Sequence, residues 1–371
     1  MNLSCVKPRW LLAGLSAAVL MTACGGGGDD APAGGMGNAY VATSLVSDFN
    51  ASTNPYSSAN VDTNLINAWG IAFNPNGFVW VANAGTSTST LYDGNGVPQT
   101  LVVAIPAGTA GSANPTGIVF NGTTDFVVSQ GGKSGASPFI FVGEAGTLSG
   151  WSPGVNLNNS VTVFDGAAAG AIYKGLALAS SGGANFLYAT DFHNGRVDVF
   201  DGSFAKVAVA GGFTDPTLPA GYAPFGIQAI GGSIYVTFAK QDAAAEDDVS
   251  GAGLGIVDVF DASGNFVKRL VDVGGVLNAP WGIALAPADF GPFSNALLVA
   301  NFGDGKIHAF NASTGALLGT LSNANGTPIA IDGLWGIAFG NGINNQPTNT
   351  LFFTGGPADE THGVYGRIDL H

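Results

Sequence analysis

One short motif returns six times along the chain and constrains the fold more than any other feature. It is clearest as Trp-Gly-Ile-Ala followed by Phe or Leu, and every copy keeps the glycine at its second position. The copies occupy residues 69–73, 116–120, 174–178, 225–229, 281–285 and 335–339. Successive glycines lie 47 to 58 residues apart. A period in this range, with strand-like content, is typical of a β-propeller or another repeat array.

Each copy of the motif opens a unit with the same internal order. A turn follows the motif, then a second strand, a polar loop, a third strand and a fourth strand. Residues 196–200 and 256–260 alternate apolar and polar side chains, as expected of third strands with one covered face. The second strands are predicted at residues 78–82, 126–129, 186–190, 234–238, 296–300 and 351–354. Four strands in each of six units predict an all-β fold, a six-bladed β-propeller.

The last unit contains too few residues for a fourth strand. After the final motif only a second strand and a third strand, at residues 364–370, remain. Residues 40–46 near the N-terminus have strand-like composition and would complete the unit. We therefore expect the ring to be closed by this N-terminal strand pairing with the last blade, because the pairing removes two open sheet edges.

Composition agrees with many short strands and excludes one class of partner. Glycine accounts for 58 of 371 residues and charged residues for only 10%, a mixture that suits tight turns. The formal net charge is −14, and Lys and Arg form no cluster in the sequence. We therefore expect no nucleic-acid partner, since such binding needs a basic surface. A monomer with an unknown ligand or protein partner is predicted.

The start of the chain has the features of an export signal. Lys7 and Arg9 precede an apolar segment at residues 10–21, which is too short for a permanent membrane span. The Thr-Ala-Cys sequence that ends at Cys24 resembles the lipobox of bacterial lipoproteins. It implies a lipid anchor on Cys24 in a bacterial cell envelope, on the periplasmic or outer-membrane face; an ordinary cleaved signal is the alternative. The implied segments are a signal peptide at 1–23, a Gly-rich flexible tether at 24–38 and the propeller at 39–371.

Several longer motifs carry a resemblance to a known family. They include Asp-Phe-His-Asn-Gly at 191–195, Asn-Phe-Gly-Asp-Gly at 301–305 and the segment from Gly356 to Gly363. With the Trp-Gly-Ile-Ala motif, they resemble an uncharacterised bacterial family of exported six-bladed propellers, similar in fold to NHL-repeat proteins. The resemblance covers residues 38–370 and implies the fold and export, without an established activity.

Propeller topology predicts which loops form a functional face. The loops after the second strands and the connections between blades share the face at one mouth of the central channel. Polar residues recur there, either in the connections or directly after the second strands: Asn67, Asn114, Asn278, Asn83, Gln130, Asp191 and Asn301. The longest loops add Lys240, Gln241, Asp242, Glu246, Asp247 and Asp248, and, in the last unit, Asp359, Glu360 and His362.

Oxygen-bearing side chains on an acidic protein suit a hard cation such as calcium. The candidate ligands are Asn83, Asp191, Asn301 and Asp242. The wider propeller superfamily includes metal-dependent hydrolases and lactonases, and such chemistry needs an acid or base beside the metal. The candidates for that role are His193, His362, Asp359 and Glu360. Alternatively, these Asn and Asp side chains only cap strands and form turns.

Three functions therefore remain open. The first is an envelope-anchored propeller that binds a ligand or partner at the channel mouth. The second is a calcium-type metal-dependent hydrolase or lactonase, and the third is a structural scaffold. Trp69, Trp281 and Trp335 are expected either to wedge between blades or to stack on a ligand. His308 is expected to be half-exposed, because it alternates with Ile307 in a third strand.

Overall fold

Six antiparallel sheets follow one another along the chain and form a six-bladed β-propeller, as the repeats predict. The structure is a computed structural model that describes residues 39–49, 56 and 58–371. The predicted signal peptide, the lipidated Cys24 and the tether lie outside the described residues. In each blade the strand that carries the repeated motif lies innermost, and further strands pair outward from it.

The strands have these bounds. The N-terminal segment and blade 1 contain β1 (Tyr40–Ser47), β2 (Asn60–Val61), β3 (Ala68–Phe73), β4 (Val79–Asn83), β5 (Thr88–Tyr92) and β6 (Pro98–Ala104). Blade 2 contains β7 (Pro115–Phe120), β8 (Val127–Gln130), β9 (Lys133–Ala136), β10 (Phe139–Gly143), β11 (Thr147–Trp151) and β12 (Val161–Asp165). Blade 3 contains β13 (Tyr173–Ser181), β14 (Ala184–Asp191), β15 (Arg196–Asp201) and β16 (Lys206–Val207).

The second half of the ring continues in the same way. Blade 4 contains β17 (Tyr222–Ile230), β18 (Ser233–Lys240), β19 (Gly255–Asp261) and β20 (Phe266–Val271). Blade 5 contains β21 (Pro280–Leu285), β22 (Leu297–Asn301), β23 (Ile307–Phe310) and β24 (Leu317–Thr320). Blade 6 contains β25 (Leu334–Phe339), β26 (Leu351–Gly355), β27 (Val364–Leu370) and β1. Short 3₁₀ helices span Ala84–Thr86, Ala167–Ala169 and Gly291–Phe293.

The ring closes as the sequence predicts. Strand β1 pairs antiparallel with β27, from Tyr40 opposite Leu370 to Ser47 opposite Val364. Tyr40 is buried, stacks on Phe293 and donates a hydrogen bond of 2.8 Å to the carbonyl oxygen of Phe290 in blade 5. The N-terminal strand is thus fixed both to its own blade and to the neighbouring blade, and it covers the edge that β27 would otherwise expose.

The predicted second strand of blade 2 is wrong. Residues 127–130 form β8, which pairs with β9 in a hairpin of their own across Gly131 and Gly132, both with positive φ. Such a turn favours local pairing, because it matches the twist of the two flanking strands. The strand that pairs with β7 is β10, whose five residues are all buried. The residue directly after the second strand of blade 2 is therefore Glu144, and Gln130 lies in the hairpin.

The repeated glycine is required because neighbouring blades touch there. A Cβ on Gly226 would lie 1.9 Å from the carbonyl oxygen of Trp281 in the next blade. A Cβ on Gly70 would lie 2.3 Å from the carbonyl oxygen of Thr116. The same approach recurs around the ring, so any side chain at this position would force the innermost strands apart.

A β-bulge accompanies the glycine in all six blades. In blade 1 the register passes from Ala68 opposite Asn83 to Ile71 opposite Val81, so Trp69 and Gly70 lie outside the regular ladder. The other shifts of this kind lie in the innermost strands of blades 2, 3, 4, 5 and 6. Bulges re-aim side chains, and the residue before each glycine reaches the channel mouth.

Candidate ligand site at the channel mouth

Aromatic side chains from blades 5, 6 and 1, which are consecutive in the closed ring, pack together at this mouth of the channel, which we call its upper end. The Trp335 ring stacks on Trp69, with centroids 3.7 Å apart, and on Phe302, with centroids 3.9 Å apart. Trp281 contacts Trp69 and Trp335 edge-on. The tryptophans therefore meet on the channel axis and do not wedge between blades. The Nε1 atoms of Trp69 and Trp281 are buried without a hydrogen-bond partner among the described residues.

Lys174 occupies the motif position that holds tryptophan in three other copies, and its side chain is only 2% exposed. Its Nζ atom lies 2.5 Å from Glu144 Oε1 and 3.3 Å from Asp247 Oδ1. It also lies 5.2 Å from the centroid of the Trp69 ring, a favourable cation–π distance. Burial opposes the charged form, but the two carboxylates outweigh burial and raise the pKa of Lys174. The lysine is therefore a fixed positive charge.

Two further carboxyl groups lie close enough for these charges to shift their pKa values. The pKa of Glu360 is raised to about 7, mainly by burial and also by the charges of Glu144, Asp247 and Asp248, with Lys174 acting in the opposite direction. Burial also raises the pKa of Asp248 to about 6, an effect that Lys174 opposes. We call Lys174, Glu144, Asp247, Asp248 and Glu360 the acid–lysine cluster. Four acids surround one lysine, so the cluster carries a negative charge whenever they ionise.

A strained loop positions Glu360 in the cluster. Ala358, Asp359 and Glu360 have φ angles of 57°, 51° and 63°, a left-handed run that non-glycine residues rarely adopt. Asp332 Oδ2 accepts a hydrogen bond of 2.9 Å from the Ala358 amide and helps to hold the run. Asn67 Nδ2 donates to Glu360 Oε2 at 3.1 Å, and Asn67 Oδ1 accepts from Trp335 Nε1. The side chain of Asn67 thus links the loop that carries Glu360 to the aromatic stack of Trp335.

Asp242 and His193 hold the blade 4 loop that places Asp247 beside Lys174. Asp242 Oδ1 accepts a hydrogen bond of 2.9 Å from the Glu246 amide, and this bond is the largest cause of its lowered pKa. His193 Nδ1 lies 3.2 Å from the carbonyl oxygen of Ala245 in the same loop. Gln241 Nε2 donates to the carbonyl oxygen of Phe192 at 2.6 Å. The blade 4 loop is therefore attached to blade 3 beside Lys174.

The other predicted metal ligands are the last residues of the second strands β4, β14 and β22, and they bond to their own blade or to the connection beside it. Asn83 Nδ2 donates to Thr90 Oγ1 at 3.0 Å, and Asn301 Nδ2 donates to the carbonyl oxygen of Val276 at 2.9 Å. Asp191 accepts from Asn194 and faces Arg196. Across residues 39–49, 56 and 58–371, no three His, Cys, Asp or Glu side chains are grouped to hold a metal ion. The calcium site stays a prediction.

His362 and His308 bond to residues outside the acid–lysine cluster. His362 Nδ1 lies 2.7 Å from Asp48 Oδ2, and its ring packs on Phe49, so it holds the segment after β1. His308 is 4% exposed and its Nδ1 lies 2.9 Å from Thr320 Oγ1. The expectation that His308 is half-exposed is therefore wrong, because β24 covers the third strand.

Asp359 is exposed and contributes to a separate cleft on the same face. This cleft has a volume of about 190 Å³ and includes Ser250, Phe302 and Asp332. Because Phe302 also stacks on Trp335, the cleft adjoins the aromatic side chains of the channel mouth. A ligand at the acid–lysine cluster would therefore find additional surface beside it.

The fold and the acid–lysine cluster define a six-bladed β-propeller with a charged candidate site at one channel mouth. The chain is 35% identical over 319 residues to uncharacterized protein R648 of Acanthamoeba polyphaga mimivirus, covering 84% of this chain and 76% of that protein. It is 32% identical over 317 residues to uncharacterized protein L690 of the same virus, covering 84% and 82%. The chain belongs to the family of these two proteins.

Other comparisons bear on the fold alone. No family model matches the chain. The soluble aldose sugar dehydrogenase of Escherichia coli is 12% identical and superimposes with a TM-score of 0.51, over 90% of this chain and all of that one. The propeller fold is thus confirmed, while the two relatives named above are viral and the bacterial source stays a prediction. No helix in the part of the chain that the structure describes is long and apolar enough to cross a bilayer.

Proposed function

We propose that the protein is a binding propeller whose acid–lysine cluster receives a positively charged group, an amine or a guanidinium, from a ligand or partner. The observation that carries the proposal is the excess of acid around a buried lysine that is already paired. Lys174 contacts Glu144 and Asp247, so Asp248 and Glu360 have no cation of their own in the cluster. A ligand cation would supply the missing charge.

The accessibility of the cluster supports this proposal. The side chain of Asp247 is 76% exposed and that of Glu144 is 27% exposed, whereas Lys174 lies beneath them. A ligand approaching along the channel axis therefore meets carboxylates first. The formal net charge of −14 would also attract cations over longer distances. The raised pKa of Lys174 keeps this amine protonated, which argues against its use as a nucleophile.

Two matched small molecules test the proposal. N-acetylarginine amide carries a guanidinium, and N-acetylcitrulline amide has the same shape without the charge. We expect calorimetry at pH 8 to show saturable binding of the arginine compound at one site and at least tenfold weaker binding of the citrulline compound. The double variant Glu144→Gln, Asp247→Asn should weaken the arginine complex, and Asp289→Asn, an exposed acid elsewhere, should not. Equal binding of both compounds would disprove the proposal.

A metal-dependent hydrolase or lactonase is the second candidate. Glu360 favours it, because a carboxyl group with a pKa of about 7 is suited to transfer protons near neutral pH. A panel of lactones and esters assayed with calcium would reveal the activity, and Glu360→Gln should abolish it. A structural scaffold is the third candidate, and it predicts neither cation binding nor turnover. Unchanged melting curves with chelator and with calcium would remove the metal from the second candidate.

We also propose that a lipid on Cys24 anchors the propeller to the cell envelope. The support is the Thr-Ala-Cys sequence after the apolar segment at residues 10–21. Cys24→Ser should release the protein from the membrane fraction and prevent palmitate labelling. Cys5→Ser changes the other cysteine and should leave both unchanged. A Cys24→Ser variant that still labels and sediments with membranes would show that the anchor is not at this residue.

A further inference from the structure

The opposite end of the central channel is a second cavity with different chemistry. Its volume is about 400 Å³, and the later residues of all six copies of the repeated motif line it. The larger side chains in its wall include Phe73, Phe120, Leu285 and Phe339. Leu285 is 43% exposed, so the cavity opens to solvent at the lower face. We call this cavity the lower funnel.

A narrow neck separates the lower funnel from the acid–lysine cluster. The neck is formed where the isoleucine or leucine of each repeated motif meets its neighbours, and the space there is only about 30 Å³. The side chains of this ring are Ile71, Ile118, Leu176, Ile227, Ile283 and Ile337. A cavity of this size holds no more than about one or two water molecules. A molecule in the lower funnel therefore cannot reach the upper site.

Among the described residues, the side chains that line the lower funnel include one polar group and no ionisable one. Gln228 lines the cavity at a motif position that holds alanine in four other copies and valine in one. It is exposed, and its side-chain amide makes no hydrogen bond to any residue within 39–49, 56 and 58–371. Backbone polar atoms also face the cavity. Apolar side chains with a few polar groups, at a volume between about 300 and 1,000 Å³, are typical of small-molecule sites.

We propose that the lower funnel binds an uncharged, largely apolar small molecule that carries one carbonyl or hydroxyl group. The apolar body would displace water from Phe73, Phe120 and Phe339, which is favourable in proportion to the area covered. The polar group would exchange a hydrogen bond with Gln228. A charged group finds no ion-pair partner in the wall and would lose its hydration, so the site selects against it.

A fluorescent compound with these features tests the proposal on the folded chain. The compound 6-propionyl-2-dimethylaminonaphthalene is uncharged and apolar, carries one carbonyl group and shifts its emission in apolar surroundings. We expect one binding site per chain. Leu285→Asp should weaken binding at least tenfold, because it places a charge in the wall. Gln228→Leu should weaken binding about fivefold, the value of one neutral hydrogen bond.

A matched variant and a competition experiment complete the test. Leu317 is 47% exposed in β24 and does not line the funnel, so Leu317→Asp should leave binding unchanged. Saturating N-acetylarginine amide should also leave it unchanged, since the neck separates the two sites. Equal losses in Leu285→Asp and Leu317→Asp, or more than one bound molecule per chain, would show nonspecific surface binding and overturn the proposal. Displacement by the arginine compound would assign the binding to the upper face and overturn it equally.

Discussion

Lys174 Nζ in blade 3 lies 2.5 Å from Glu144 Oε1 in blade 2, and the lysine side chain is 2% exposed. The same ammonium group reaches Asp247 of blade 4 at 3.3 Å. One buried charge therefore joins three consecutive blades at the channel mouth. Because buried charges are costly unless they are paired, this arrangement makes the stability of the ring depend on the residues of the candidate site.

Replacing Lys174 should destabilise the protein strongly. Lys174→Met keeps the length of the side chain but leaves Glu144 partly buried without its cation, and such a loss costs about 3–5 kcal/mol. Denaturant unfolding measures the change. Adding Glu144→Gln to Lys174→Met should recover part of the loss, because the unpaired charge is removed. Lys240→Met at an exposed position should have little effect, and equal losses at Lys174 and Lys240 would contradict the account.

The glycine of the repeated motif should tolerate no side chain. Gly226→Ala places a Cβ 1.9 Å from the carbonyl oxygen of Trp281, so the innermost strands of blades 4 and 5 must separate. We expect a loss of about 3 kcal/mol, the upper part of the range for overpacked positions, measured as a lower melting temperature. Gly154→Ala is the matched control, because nothing lies within 4 Å of its Cβ position. Similar melting temperatures for the two variants would rule out the proposed close approach.

The closing strand should be essential for the fold. Deleting residues 39–48 removes β1 and exposes an edge of β27 along its whole length. We expect aggregation or a strongly lowered melting temperature, because an unpaired strand edge invites pairing with other chains. Deleting residues 25–37 is the control and should cost little. A soluble chain without residues 39–48 that melts like the intact protein would mean that another segment closes the ring.

The fold could be predicted from the sequence because its main signal is local and periodic. The glycine in every motif reports a backbone contact that recurs in each blade, and it fixes the number of blades. The prediction is wrong for part of blade 2, because residues 126–129 look like a second strand and residues 127–130 do form a strand, β8. They pair across Gly131 and Gly132 in a local hairpin, and sequence composition does not reveal which partner a strand will choose.

The candidate site was predicted less well, and the error in blade 2 is one reason. The sequence pattern predicts Gln130 as the polar residue at the end of the second strand of blade 2. The second strand is β10, so the residue that follows it at the channel mouth is Glu144. Lys174 was missed because it lies inside the motif. A lysine where other copies carry tryptophan, threonine or phenylalanine was the available signal. The meeting of Glu360 with Asp247 depends on loop conformations, such as the left-handed run at 358–360, that the sequence does not specify.

Glu360 should make stability fall as pH rises. Its folded-state pKa is raised to about 7, so the folded chain holds this proton more tightly than the unfolded chain. The resulting stabilisation is complete below the ordinary carboxyl pKa of about 4.3 and is lost as pH rises through 7. Glu360→Gln mimics the protonated form and keeps the acceptor for Asn67, so the variant should not show this loss.

Melting temperatures of Glu360→Gln and the natural protein at pH 5 and pH 8 measure the effect. The variant should gain stability relative to the natural protein between the two values, on the order of 1 kcal/mol, since partial exposure of Glu360 reduces the full linkage effect. Glu246→Gln changes an exposed acid of the blade 4 loop and should show no such gain. A difference between Glu360→Gln and the natural protein that stays constant or shrinks from pH 5 to pH 8 would mean that Glu360 ionises without penalty, and that the four acids do not share one buried charge environment.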